Sequence, residues 1–206
     1  MTMTKTSLNS VLVTALLSGV VLAEPLKFDF KDPKGVNNVV FKLDAPLEAI
    51  NGSASGITGS VTFDPANPAS TTGKIVVEAK SMTVPNSMMK DHMHGEQWMN
   101  VAQHPELTFE AKELKNVKTS GDSTTAEAVG TFTAKGVSKT LTVPIKLTYL
   151  KDKLQARQPN AKGDLLVIRS TFTIKRADYG INPGAPTDKV ADEIELTLSL
   201  AGASAK

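Results

Sequence analysis

TLTVPIKLTY, residues 140–149, decides the fold: Leu141, Val143, Ile145, Leu147 and Tyr149 alternate with threonines, a lysine and one proline. Successive side chains of a strand point to opposite faces, so this run has one oily face and one wet face. Working outward, the same period of two returns along the chain. Leu26, Phe28 and Phe30 show it, as do Val39, Phe41 and Leu43, and then Ile57, Val61 and Phe63. It continues in Ile75, Val77 and Ala79, in Leu107, Phe109 and Ala111, in Leu166, Ile168, Phe172 and Ile174, and in Ile194, Leu196, Leu198 and Leu200. Between the runs lie turn formers: Asp64-Pro65, Asn67-Pro68, Thr72-Gly73, Gly121-Asp122, Lys135-Gly136, Gly163-Asp164 and Asn182-Pro183-Gly184. About nine short antiparallel strands predict a single all-β domain over residues 24–206, a barrel of about eight strands or a sandwich. Pro144, which has no N–H to give to a ladder, predicts an edge or a bulge at its position.

One segment breaks the alternation. From Pro85 to Val101 the spacing predicts a short helical cap, with Asn86 or Ser87 at its N-terminus and Gly95 at its end. Five methionines (Met82, Met88, Met89, Met93 and Met99), all three histidines (His92, His94 and His104) and the single tryptophan, Trp98, fall between positions 82 and 104. Three readings stand side by side. The cluster packs the cap onto the barrel. Met89, Met93 and Trp98 form an adaptable mouth for an apolar ligand. Or His92, His94 and Met93 offer imidazole and thioether groups to copper. On a helix, however, residues two apart diverge by roughly 200°, so His92 and His94 chelate together only if the segment is extended.

The first residues predict export. Lys5 precedes the apolar run Val11 to Leu22, too short to span a bilayer, and Val21 and Ala23 supply the small residues of a cleavage site. Removal of residues 1–23 would leave Glu24 first and take the net charge from +2 to +1. Such a balance, with no basic block in sequence, argues against nucleic acid as a partner. The absence of cysteine excludes thiol catalysis, thiolate metal sites and disulfides.

No constellation for catalysis emerges. The chain has no glycine-rich phosphate loop, nucleophile elbow or HExxH motif. Asp192, Glu193 and Glu195 are clustered, but on a strand edge such charges are normally solvated. The expectation is a protein that is not an enzyme and requires no cofactor.

Several ordered stretches resemble the YceI family: FDPANPAS (63–70), VGTFTAKGVSKTLTVPI (129–145), TFTIKRADYGI (171–181) and DEIELTLSL (192–200). KDHM followed by QWMNVAQHPELTF, between Lys90 and Phe109, is similar to that family's series as well. The resemblance implies a lipocalin-like antiparallel barrel in the periplasm whose tunnel holds a long isoprenoid lipid, an isoprenoid quinone or a prenyl phosphate, as its ligand. Ala45, Lys90, Met99 and Lys135 depart from the family pattern where some members place polar contacts. As mid-strand members of apolar faces, Phe41, Phe63, Val77, Phe109, Phe132, Leu147 and Phe172 are the expected tunnel wall, joined at the mouth by Met89, Met93 and Trp98. Arg176 and Asp178, two apart at a strand end, are expected to pair and fix a turn, with an Arg176–phosphate contact as the alternative. Beyond the lipid, the expected partners are a membrane or a membrane redox protein in transient contact, and a second copy of the chain in a homodimer.

Overall fold

The computed structural model describes residues 24–206, so the export segment lies outside the described residues. Ten strands form one antiparallel sheet: β1 (Leu26–Asp29), β2 (Asn38–Asp44), β3 (Ala49–Ala54), β4 (Ile57–Phe63), β5 (Thr72–Glu78), β6 (Glu106–Ser120), β7 (Ser123–Ala134), β8 (Val137–Leu150), β9 (Gly163–Lys175) and β10 (Glu193–Ala205). The sheet closes on itself where Asp29 of β1 meets Ala203 of β10. Both β1 and β2 lie along β10, and β4 and β3 lie along β1 and β2. Each of these pairs acts as one interrupted strand. Ten strands therefore occupy eight positions, which makes the molecule an eight-stranded barrel.

The alternation sorts the side chains as the sequence predicts. Along β7 the inward set is Thr124, Ala126, Ala128, Gly130, Phe132 and Ala134, and the outward set includes Thr125, Glu127, Thr131 and Thr133. Tight connections follow the turn chemistry. Lys135 and Gly136 both take positive φ, 46° and 75°, which matches the strand twist in a two-residue hairpin between β7 and β8. Phe30, placed with the strands by the alternation, lies one residue beyond β1, fully buried.

Two breaks in pairing shape the wall. In β6 the register against β7 slips between Ala111 and Glu113, and again between Lys115 and Lys118. Each slip is a bulge that re-aims the strand, so that the inward residues run Phe109, Ala111, Leu114 rather than at strict intervals of two. The ladder between β8 and β9 runs only from Lys146↔Arg169 to Leu150↔Leu165. Before Lys146, β8 is paired with β7 alone, and beyond Arg169, β9 is paired with β10 alone. Pro144 sits within this stretch. There β8 has a local edge, as expected of a proline: no ladder to β9 needs its missing N–H, and its carbonyl accepts from Ser170 Oγ at 2.6 Å.

The two ends differ. At one end Phe28, Phe63 and Tyr149 pack together, with ring centroids 5.7 to 6.4 Å apart, and close the barrel. At the other end the chain between β5 and β6 crosses the opening. It contains α1 (Ser87–His94), whose N-cap Asn86 accepts from the Met89 amide at 3.0 Å, and Gly95 ends the helix. A second single-turn helix, α2 (Leu154–Arg157), lies in the β8–β9 connection at the closed end.

Candidate functional site

Small inward residues leave the barrel unfilled. Gly73, Ala111, Ala128 and Ala134 face an interior cavity of about 380 Å3 that runs from the α1 end down to Leu114, Leu147 and Leu200. That volume lies within the range of small-molecule sites. Its wall is overwhelmingly apolar, and the aromatic cluster beyond Leu147 stops it short of the closed end.

The expected wall is brought together almost whole. Phe41, Val77, Phe109, Phe132, Leu147 and Phe172 line the cavity, and Met89, Met93 and Trp98 line it at the cap. Phe63 is the exception. Only 2% exposed, it packs edge-on against Phe28 and against Tyr149, and so plugs the closed end instead of facing the cavity. The sequence reading also passed over Met82, Met99 and Leu114, which line the cavity too. Met82 and Met99 sat inside the methionine cluster, so their signal was present, whereas the β6 bulge hid Leu114.

The histidines diverge as a helix requires. His92 faces the cavity mouth, while a ring nitrogen of His94 lies 2.9 Å from the Met82 carbonyl. Lys135 ties the cap down by donating to the carbonyls of Gln97 (2.9 Å) and Gly180 (2.8 Å), and partial burial lowers its pKa.

Arg176 does not pair with Asp178. Its guanidinium is 1% exposed and donates to main-chain carbonyls of the segment that follows: Ala191 from Nε, Ile181 and Asn182 from Nη1, Ala185 and Val190 from Nη2. These contacts account for all five N–H groups, so Arg176 clips residues 181–191 over the rim and has no hydrogen bond left for a headgroup. What remains is its positive charge at the cap end of the cavity, 5.7 Å from the Trp98 ring. Asp178 pairs with Lys139 at 2.9 Å. Asp192, one of the clustered acids, accepts from the Ala177 amide at 2.8 Å and so holds the same turn.

A closed antiparallel barrel around an apolar cavity, with a helical cap at one end and an aromatic plug at the other, belongs to the class of small lipocalin-like β-barrels. Within that class the chain belongs to the YceI-like domain family, whose profile matches residues 32–201. A UPF0312 protein of Yersinia pestis is 32% identical over 155 residues, covering 75% of this chain and 74% of the relative. One from Pseudomonas paraeruginosa is 30% identical over 151 residues, covering 73% and 72%. Among solved structures, Burkholderia cenocepacia BcnA is similar at a TM-score of 0.65 with 22% identity, over 80% of this chain and 95% of that one. A polyisoprenoid binding domain from Saccharophagus degradans, implicated in plant cell wall breakdown, gives 0.63 with 11% identity, over 88% and 99%.

Proposed function

We propose that this protein is an exported, non-enzymatic carrier that holds one long isoprenoid lipid inside its barrel. The observation that carries the reading is the cavity, deep and apolar, blind at Phe28, Phe63 and Tyr149 and lined at its other end by methionines. An isoprenoid tail has no strong hydrogen-bonding group, so recognition rests on buried area. At about 0.8 kcal/mol per buried methylene, each five-carbon unit contributes roughly 4 kcal/mol before ordering costs. The tail would lie toward the blind end and the headgroup beneath the cap, near the Arg176 charge. The solved polyisoprenoid binding domain of the same fold supports this choice of guest.

Solvent extraction of the natively purified protein followed by mass spectrometry tests the reading. An isoprenoid quinone or prenyl phosphate at about one per chain is expected; an empty barrel, or short fatty acids without preference, would overturn it. The intact mass of exported protein should begin at Glu24, and a mass retaining residues 1–23 would count against export. Met89, His92 and Met93 all face the mouth, so copper is the second reading. Tight Cu(I) or Cu(II) binding, lost on changing His92 and Met93 to alanine, would favour it.

A further inference from the structure

The closed end of the barrel carries a feature that the cavity does not explain. It is built from the connection between β1 and β2 (residues 30–37), the β8–β9 connection (residues 151–162) and Lys206. These pieces are fastened together. Arg157 Nη2 lies 3.2 Å from Asp32 Oδ1, the Lys34 ammonium donates to the Arg157 carbonyl, and the Lys206 amide donates to the Lys162 carbonyl at 3.0 Å. The acids of these pieces are already satisfied, while Asp122, in the neighbouring turn whose carbonyl accepts from the Tyr149 amide, is exposed and has no ion pair among the described residues. Asp32, its side chain 3% exposed, is held by Arg157, while Asp152 and Asp164 share the Lys206 ammonium at 2.7 and 3.0 Å.

The lysines, apart from Lys34 with its bond to the Arg157 carbonyl, are not. Lys31, Lys34, Lys151, Lys153 and Lys162 are exposed, and none is ion-paired with a carboxylate among the described residues. Between them runs a groove lined by Val36, Leu150, Ala156 and Leu165, with Lys34 and Lys153 beside it. Val36, at the edge of this groove, is 61% exposed. The opposite end carries both signs: Asp44 is paired with Lys42, and the exposed acids Glu48, Glu96, Asp188 and Glu193 stand beside the exposed Lys80, Lys175 and Lys189.

We propose that this closed, basic end is a docking face for an anionic phospholipid bilayer. Unpaired ammonium groups around an exposed apolar groove match such a surface: the lysines meet lipid phosphates and Val36 meets the region just below them. Lysine, a strongly hydrated point charge, suits a diffuse array of phosphates better than one fixed phosphate. No aromatic side chain is exposed among these residues, so the face lacks a platform for stacking nucleic-acid bases. The far end, where acids and lysines are mixed, offers no such face. Docking therefore orients the barrel with its mouth away from the bilayer, toward whatever receives or supplies the guest. This assignment stands whether or not the cavity holds an isoprenoid.

The chain beginning at Glu24, which contains every strand of the closed barrel, is the material for the test, since the apolar run 11–22 would bind vesicles by itself. Co-sedimentation is measured with vesicles of phosphatidylcholine alone and with phosphatidylglycerol added. Binding is expected only with the anionic lipid and should fall as salt is raised. The double variant Lys151→Glu/Lys153→Glu should weaken it at least tenfold, while Lys80→Glu/Lys189→Glu at the mouth should leave it unchanged or strengthen it. Circular dichroism confirms that both variants are folded. Equal binding to phosphatidylcholine, loss of binding in the mouth variant alone, or capture of an acidic polypeptide or DNA in place of vesicles would each overturn the proposal. Mass spectrometry of bound lipid in the same variants reports separately on the carrier reading, because neither double variant alters the cavity wall.

Discussion

Asn37 puts a side chain where a strand residue is missing. Between Asp29↔Ala203 and Asn38↔Ser199, β10 has no main-chain partner on the side of β1 and β2, and the Asn37 amide fills the gap: Nδ2 donates to the Ala201 and Phe30 carbonyls, and Oδ1 accepts from the Ala201 amide at 2.8 Å. Asn37→Ala would leave buried groups unsatisfied and should cost about 1–3 kcal/mol in chemical denaturation. The two tyrosines make a second prediction. Burial, then the hydrogen bond to Asp164, pushes Tyr149 up to about 12, and burial, then Asp178, raises Tyr179. A raised folded pKa means that the stability tied to Tyr149 is intact below about pH 10 and is lost as pH climbs through about 12. Ultraviolet titration of the folded protein should thus show no tyrosinate step at the ordinary position. The pair should differ under mutation. Tyr149 donates to Asp164 at 3.0 Å, whereas the buried Tyr179 hydroxyl has no partner among the described residues. Tyr149→Phe should destabilise by about 1 kcal/mol, while Tyr179→Phe should be neutral or stabilising in thermal melts.

Elements differ in how clearly the sequence announces them. The runs with valine, isoleucine, leucine and phenylalanine on one face, such as β2, β4, β8 and β10, were legible because hydrophobicity itself alternates. β7 was not, since most of its inward residues are alanine, glycine and threonine, which carry little hydrophobic contrast. β6 was seen only to Ala111, because its two bulges break the period. β3, AINGSA, offers one large apolar residue and a glycine, where Phe41 packs so closely that a Cβ on Gly52 would lie 2.1 Å from its ring. The site was legible for the same reason as the fold: inward aromatics announce a lining. The empty space came instead from small residues of three strands: Gly73 of β5, Ala111 of β6, and Ala128 and Ala134 of β7. Ala128→Phe should therefore fill the middle of the cavity and lower the bound lipid in native mass spectrometry, with the barrel still folded by circular dichroism.

At the scale of the whole molecule, acid and ligand should act at different ends. Burial alone would raise the Asp32 and Asp164 carboxyls, but hydrogen bonds override it: to Asp32 from the amides of Asn37, Val36 and Lys34 and from Arg157, to Asp164 from the Asp152 amide, Lys206 and Tyr149. Both pKa values are thereby lowered, so the stability they contribute is complete above the ordinary carboxylate value, about 4, and is lost as pH falls below it. Acid should loosen the closed, basic end first, visible as faster hydrogen exchange in residues 30–37 and 151–162 before the cap responds.

The incomplete ladder between β8 and β9 gives the barrel a soft line. Over most of the remaining circumference, apart from the free side of β3 with its single Ser53↔Thr83 bridge, widening would break hydrogen bonds between neighbouring strands. Along Val137–Ile145 and Ser170–Lys175 it can change without breaking any main-chain bond between those two strands. Val143, Ile145, Ser170 and Phe172, on the two sides of this line, all face the cavity. On the carrier reading proposed above, this flank of the wall is where the container would give to admit tails of unequal bulk, at the least cost in main-chain hydrogen bonds between β8 and β9.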